Sequence, residues 1–235
     1  MTQQKIYIDK SSKLILDSFI KHVKFAIFSE DLLSQECELD YLHNIFTKNK
    51  RLIQGTDQST LFHKAVYSSF DQSNYSSTEF FIKYKELCLA ILIKLKNRTG
   101  YFGEWAIQRF PTFRFQFPDN VSVFEFHRDS DYSHPIGEIN CFYAINECLN
   151  SSSLQVEKNL GYGDYEPLNL KPGEYALLNT SIFKHGDILN KTNRTRVSMD
   201  FRFIPVYLLM DQKKSLTMGK KFTADSYFMS DKEFN

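Results

Sequence analysis

From Thr195 to Pro205 the chain alternates without a break. Arg196, Ser198, Asp200 and Arg202 fall on one parity; Val197, Met199, Phe201 and Phe203 fall on the other. Period-two alternation is the signature of a strand, and it sends the two sets to opposite faces of a sheet. The apolar face needs a covering layer, either helices outside a barrel or a second sheet inside it. The polar face needs either solvent or an internal polar site, because four unpaired polar groups cannot be buried cheaply. An edge strand facing water satisfies that condition. So does a barrel interior that binds an anion. Arginine suits a planar carboxylate through two parallel hydrogen bonds. The Ser198 hydroxyl, two residues on and on the same face as Arg196, can add a third.

The rest of the chain says what such a strand belongs to. Ser11 to Phe28 carries apolar residues three and four apart (Ile15, Phe19, Ile20, Val23, Ile27), a helical period. Leu39 to Phe46 reads as a further short helix, between mixed segments. Asp57 to Thr60 and Asp71 to Ser77 are polar turn clusters. Ser76 and Glu79 have capping-box spacing before a strong helix lined by Phe80, Phe81, Tyr84, Leu87, Cys88, Ile91, Leu92 and Leu95. Gly100 is a plausible stop for it. After Gly100 the pattern switches. Pro111 to Phe117 alternates, with Phe113, Phe115 and Phe117 against Thr112, Arg114 and Gln116. Val121 to Phe126, Glu138 to Asn146, Leu154 to Glu157, Glu166 to Leu170 and Tyr175 to Leu178 read as further strands. Helices followed by about eight short strands suggest an α+β chain whose strands form a jelly roll. The expected organisation is one domain over 1–235. Residues 1–103 are mainly helical support, 104–206 the jelly-roll core and 207–235 a polar tail without an assigned element.

Composition narrows the function classes. The chain has 235 residues, with 29 Lys and Arg against 28 Asp and Glu, a formal net charge of +1. So balanced a charge argues against a nucleic-acid or polybasic membrane partner. The longest apolar run, Leu87 to Ile93, is too short to span a bilayer. Met1 to Lys10 lacks the apolar centre of a signal peptide, and the four Cys show no Cys-x-x-Cys spacing. Free thiols and a cytoplasmic location are the expectation. Aromatic residues make up 15% of the chain, which favours a packed barrel or sandwich over disorder.

His127 and Asp129 stand two apart, so on an extended strand both point to one face. A second His, His185, lies downstream. Two imidazoles and one carboxylate form a facial ligand set suited to iron(II), with positions left for oxygen and a cosubstrate. A lone His-x-Asp is a weak motif, and a surface His beside a turn Asp is the alternative reading. The polar face of the last strand adds weight, because a buried Arg beside such a centre can hold an acidic cosubstrate.

His127-Arg128-Asp129, His185 and Arg196-Val197-Ser198, with ten residues between His185 and Arg196, resemble the iron(II)- and 2-oxoglutarate-dependent oxygenases. Phe126 to Tyr132, with Glu138-Ile139-Asn140 after it, is similar to the streptomycin-biosynthesis-type branch. The resemblance covers roughly residues 104 to 206. It implies a double-stranded β-helix (jelly-roll or cupin-like) with iron held by His127, Asp129 and His185. It implies that Arg196 and Ser198 hold the distal carboxylate of 2-oxoglutarate, and that O2 takes the remaining position. The cosubstrate is then decarboxylated to succinate as a small molecule, such as an amino acid or natural-product intermediate, is hydroxylated or desaturated. Halogenating relatives lack the carboxylate that Asp129 keeps. Asn140 is a candidate for the cosubstrate. Arg114, Gln116, Asp131, Glu138 and Arg202 are candidates for the substrate, and His134 for a loop contact to it. Arg128 points off the metal face and has no role. Arg194 is a rival to Arg196 on the same parity. Two other readings stay open: a peptide or protein hydroxylase with an extended groove, and a non-catalytic metal-binding jelly-roll module.

Overall fold

The structure, a computed structural model, describes residues 2–28, 38–46, 61–70, 74–122, 125–209 and 227–234. Its centre is the predicted alternating strand, β9 (Arg196–Pro205), buried at every position. The strands before it are β1 (Tyr7–Lys10), β2 (Trp105–Gln108), β3 (Thr112–Gln116), β4 (Ile139–Ala144), β5 (Gln155–Glu157), β6 (Tyr165–Pro167), β7 (Glu174–Leu178) and β8 (His185–Gly186). One strand, β10 (Phe228–Ser230), follows. The main sheet runs β1-β7-β4-β9-β2-β10, and β3 also pairs with β9. A second sheet runs β6-β5-β8. β9 is therefore no edge strand: β4 lies along one side, with β3 and then β2 along the other.

The two faces of β9 go where the alternation sends them. Val197, Met199, Phe201 and Phe203 point outward, beside Phe113, Phe115 and Phe117 of the β3 segment. Helices α1 (Lys13–Phe28), α2 (Leu61–Ser68) and α3 (Glu79–Thr99) cover them, contributing Phe19, Phe62, Phe80, Tyr84 and Ile91 to one apolar cluster. Each such side chain contributes about 1.5–3 kcal/mol on full burial. Tyr84 also anchors the layer, donating its hydroxyl to the Gln108 carbonyl (2.7 Å) and meeting Phe201 edge-on. The opposite faces enclose the barrel interior. Its apolar end is built from Phe142, Ala144, Ala176 and Leu178 of the main sheet, against Leu154 and Val156 of the second. Two facing antiparallel sheets under a helical layer form an α+β double-stranded β-helix, the jelly-roll architecture expected.

Several local expectations need correction. The cap of α3 is Thr78, whose hydroxyl accepts the Phe81 N–H (3.3 Å); Ser76 lies in the 3-10 turn before it, and Glu79 is the first helical residue. The C-cap is Gly100, at φ 69°, where only a residue without Cβ sits at ease. Leu39–Phe46 is a 3-10 helix. No strand is found at 121–126 among the described residues; the segment's ladder contact is the single bridge His127↔His185. β1, β2, β10 and α2 were not anticipated. β1 and β10 carry the main sheet beyond 104–206, into the N-terminal segment and the tail. The turn expected at 57–60, part of that at 71–77, and Cys37 lie outside the described residues. Cys88, Cys141 and Cys148 are free and buried, as expected of thiols that serve as core. Trp105 is likewise core. Among the described residues, no helix is long and apolar enough to cross a membrane.

Candidate metal centre

His127 and His185 face each other across the bridge, each N–H donating to the other's carbonyl (3.0 and 2.9 Å). The approach is close. A Cβ on Gly186 would come within 3.2 Å of the Phe126 backbone and ring, so glycine is what lets the two segments meet. Asp129 reaches the same point by a route the sequence did not suggest. It opens a 3-10 turn, Asp129–Tyr132, tied down by its N–H to the Thr180 carbonyl (2.8 Å). The ligand atoms of His127, Asp129 and His185 lie within 4.8 Å of one another. His127 Nε2 is 3.8 Å and His185 Nε2 3.5 Å from the same oxygen, Asp129 Oδ1.

The surroundings assign each atom. His127 Nδ1 donates to the Glu125 carbonyl (2.8 Å), which leaves the Nε2 lone pair for a cation. Asp129 Oδ2 is occupied: it accepts from Thr180 Oγ1 (2.7 Å) and from Arg202 Nη2 (3.1 Å). Oδ1 is thereby turned to the imidazoles. Burial pushes the Asp129 carboxyl up, but the Arg202 guanidinium beside it outweighs that and holds the group ionised, well below the usual carboxylate range. Burial pushes His185 down to about 4, so its ring is neutral. Two imidazole nitrogens and one carboxylate oxygen, converging on one point, fit a borderline divalent cation such as iron(II).

A second acidic group adjoins this one. Asp129, His134 and Glu138 also come within 4.8 Å. Glu138 is fully buried and already engaged, its Oε1 2.9 Å from both Arg202 Nε and His134 Nδ1. The first trio is thus the better metal site, and Glu138 and His134 belong to its wall. Arg202 links the two groups. It also pairs with Asp200 (3.0 Å) and donates to Gln108 Oε1 and the Tyr227 hydroxyl (each 3.2 Å).

The other expected residues divide clearly. Asn140 and Gln116 are buried on the inner face, and Asn140 Oδ1, Gln116 Oε1 and Ser198 Oγ have no hydrogen-bond partner among the described residues. Gln116 stands opposite Arg196 and Arg114 opposite Ser198 across the β3–β9 ladder; Arg114 Nε donates to Asp200 (3.0 Å). Arg196 is buried on the same face, but its fork is engaged. Nη1 and Nη2 donate to the two oxygens of Asp187 (2.7 and 3.1 Å). Asp131 is exposed and caps the turn, accepting the Arg128 N–H (2.9 Å), so it is not brought to the trio. Arg128 donates to the Ile182 carbonyl, away from the trio, and Arg194 is exposed beside Glu147. Thr180, Asp187, Ser122 and Tyr227 were missed. A parity signal existed for Asp187 alone, two residues after His185.

No family model matches the chain. It is 27% identical over 199 residues to the streptomycin biosynthesis protein StrG of Streptomyces griseus, covering 84% of this chain and 90% of that protein. Its fold matches the non-heme alpha ketoglutarate dependent epimerase SnoN from nogalamycin biosynthesis, with a TM-score of 0.52 over 96% of this chain and 93% of SnoN, at 10% identity. It matches AviO1 from Streptomyces viridochromogenes Tue57 with a TM-score of 0.50 over 91% and 93%, at 8% identity. In sequence the chain thus resembles a streptomycin biosynthesis protein, and in fold a non-heme alpha ketoglutarate dependent epimerase.

Proposed function

We propose that this protein is an iron(II)- and 2-oxoglutarate-dependent oxygenase that oxidises a small molecule, by hydroxylation or desaturation. The observation that carries the reading is the division of labour on Asp129. One oxygen faces two imidazole Nε2 atoms, and the other is held by Thr180 and Arg202. His127, Asp129 and His185 would hold the iron. Once bound, iron(II) supplies the redox chemistry that couples decarboxylation of 2-oxoglutarate to succinate with oxidation of the substrate, one oxygen atom of O2 entering succinate.

The chain's own groups bind, orient and exclude. Ser198 and Asn140 offer buried polar atoms without protein partners, which suits a bound, highly oxygenated acid. Arg196, beside Ser198, is the cation for its distal carboxylate. Gln116 and Arg114, across the ladder, are groups for orienting the substrate. Arg202 fixes Asp129 and Glu138 and keeps the wall rigid. The apolar end around Phe142, Leu154 and Leu178 keeps water from the interior. Asp129 supplies the carboxylate that halogenating relatives lack, which favours oxygenation. The names of StrG and SnoN, tied to streptomycin and nogalamycin, support a natural-product intermediate as substrate.

Anaerobic titration with iron(II) and 2-oxoglutarate tests the reading. A weak visible band from the chelated 2-oxo acid is expected, and its loss in His127→Ala. Absence of the band in the wild type, or an unchanged band in the variant, rules the function out.

A further inference from the structure

We propose that Asp187 sets the affinity and selectivity for the cosubstrate by competing with its distal carboxylate for the guanidinium of Arg196. The inference rests on the function proposed above, with Arg196 and Ser198 at the distal end.

The geometry is that of an anion site filled by the protein's own anion. Both Arg196 amino groups point at the Asp187 carboxylate in the fork-to-fork arrangement that a ligand carboxylate would use. Ser122 Oγ (2.9 Å) and the Ser152 carbonyl (3.1 Å) take further N–H bonds from the same guanidinium. The side chains of Arg196 and Asp187 are each 1% exposed, so no solvent can replace a lost partner. One fork cannot serve two carboxylates fully. An incoming dicarboxylate must share Arg196 with Asp187 or displace it.

Two features show that the exchange is built for. Ser198 Oγ, two residues along the same face of β9, is buried with no hydrogen-bond partner among the described residues. Asp187 does not use that hydroxyl, and an arriving carboxylate can. Ser122 touches both members of the pair, donating to Asp187 while accepting from Arg196. It can keep one bond to Asp187 when the guanidinium turns to another anion. The pair is also tied to the metal through the chain, since Asp187 follows His185 by two residues. The cost of separating a buried pair is then subtracted from the binding of every dicarboxylic 2-oxo acid. An acid with no distal carboxylate escapes that cost.

The test compares 2-oxoglutarate with 2-oxopentanoate, which has the same chain length and no distal carboxylate. Dissociation constants are read anaerobically from the iron(II) chelate band and checked by ligand-induced thermal shift, with no turnover. In the wild type the preference for 2-oxoglutarate is expected at about tenfold or less, because its extra carboxylate meets an engaged arginine. Asp187→Asn and Asp187→Ser should widen the preference by roughly another tenfold or more, through tighter 2-oxoglutarate with 2-oxopentanoate little changed. An unchanged or narrowed preference in both variants overturns the proposal. Should neither variant fold, the wild-type ratio decides: about tenfold or less supports competition, and a larger value refutes it. No band with the wild type and either acid sinks the function itself. A band with an unmoved ratio sinks only the role of Asp187.

Discussion

The two ends of the inner face of β9 treat a buried arginine in opposite ways. Arg202 is shared among three carboxylates, Glu138, Asp129 and Asp200, at 2.9, 3.1 and 3.0 Å. Arg196 turns both amino groups of its fork to one carboxylate, that of Asp187. Both are desolvated, so both depend on their partners to be tolerable. The consequences differ. A shared cation cannot leave one carboxylate without disturbing the other two, one of which, Asp129, is a proposed metal ligand. A closed pair can trade one carboxylate for another of the same shape. The first arrangement suits a permanent scaffold around the proposed metal site, the second a place where an acid comes and goes.

The comparison can be broken most forcefully at Arg202. Arg202→Ala strands three buried carboxylates, and a loss of about 5 kcal/mol is expected in denaturant unfolding, with metal affinity falling too. Arg202→Lys should rescue little, because an ammonium cannot span three acceptors in a plane. Retained stability in either variant would contradict the shared role. Arg196→Met alone should cost about 3 kcal/mol by leaving Asp187 unpaired, and Arg196→Met with Asp187→Leu should recover most of it. The same treatment of Arg202 and Asp200 should recover little; equal recovery at both ends would erase the distinction. Thr180→Val removes one of the bonds that turn Asp129. About 1 kcal/mol of stability and roughly tenfold in iron(II) affinity should go, as measured by unfolding and metal titration. Ser198→Ala is the mildest change. It removes a hydroxyl with no protein partner, so stability should move by less than about 0.5 kcal/mol while 2-oxoglutarate binds more weakly. A large stability loss there would mean that the hydroxyl serves the fold.

β9 was legible because alternation over ten residues is a local signal, and burial on both faces only completes it. β3 was legible for the same reason. That His127, Asp129 and His185 cluster was read on a partly mistaken premise. His127 and Asp129 do not share a regular strand; a bridge and a 3-10 turn bring them together. The residue types carried the inference, since few other arrangements need two His and an Asp near a buried Arg. β1 and β10 could not be read. Each has three or four residues, and each is held by pairing with a strand more than a hundred residues away. Thr180 and Ser122 carry no pattern of their own, because one hydroxyl in a loop looks like any other. Asp187 was within reach: a carboxylate on the parity of His185 was a natural partner for an arginine predicted to be buried.

Tyr227 gives the tail a bearing on chemistry. Its hydroxyl takes a bond from Arg202, and its carbonyl takes the Arg109 N–H (2.9 Å), just before β10 pairs with β2. Through Arg202 the phenol is two contacts from Asp129. Shortening the protein ahead of residue 227 would therefore strip away part of the wall around the proposed metal site, and the damage should register as weaker metal loading before any loss of helical signal.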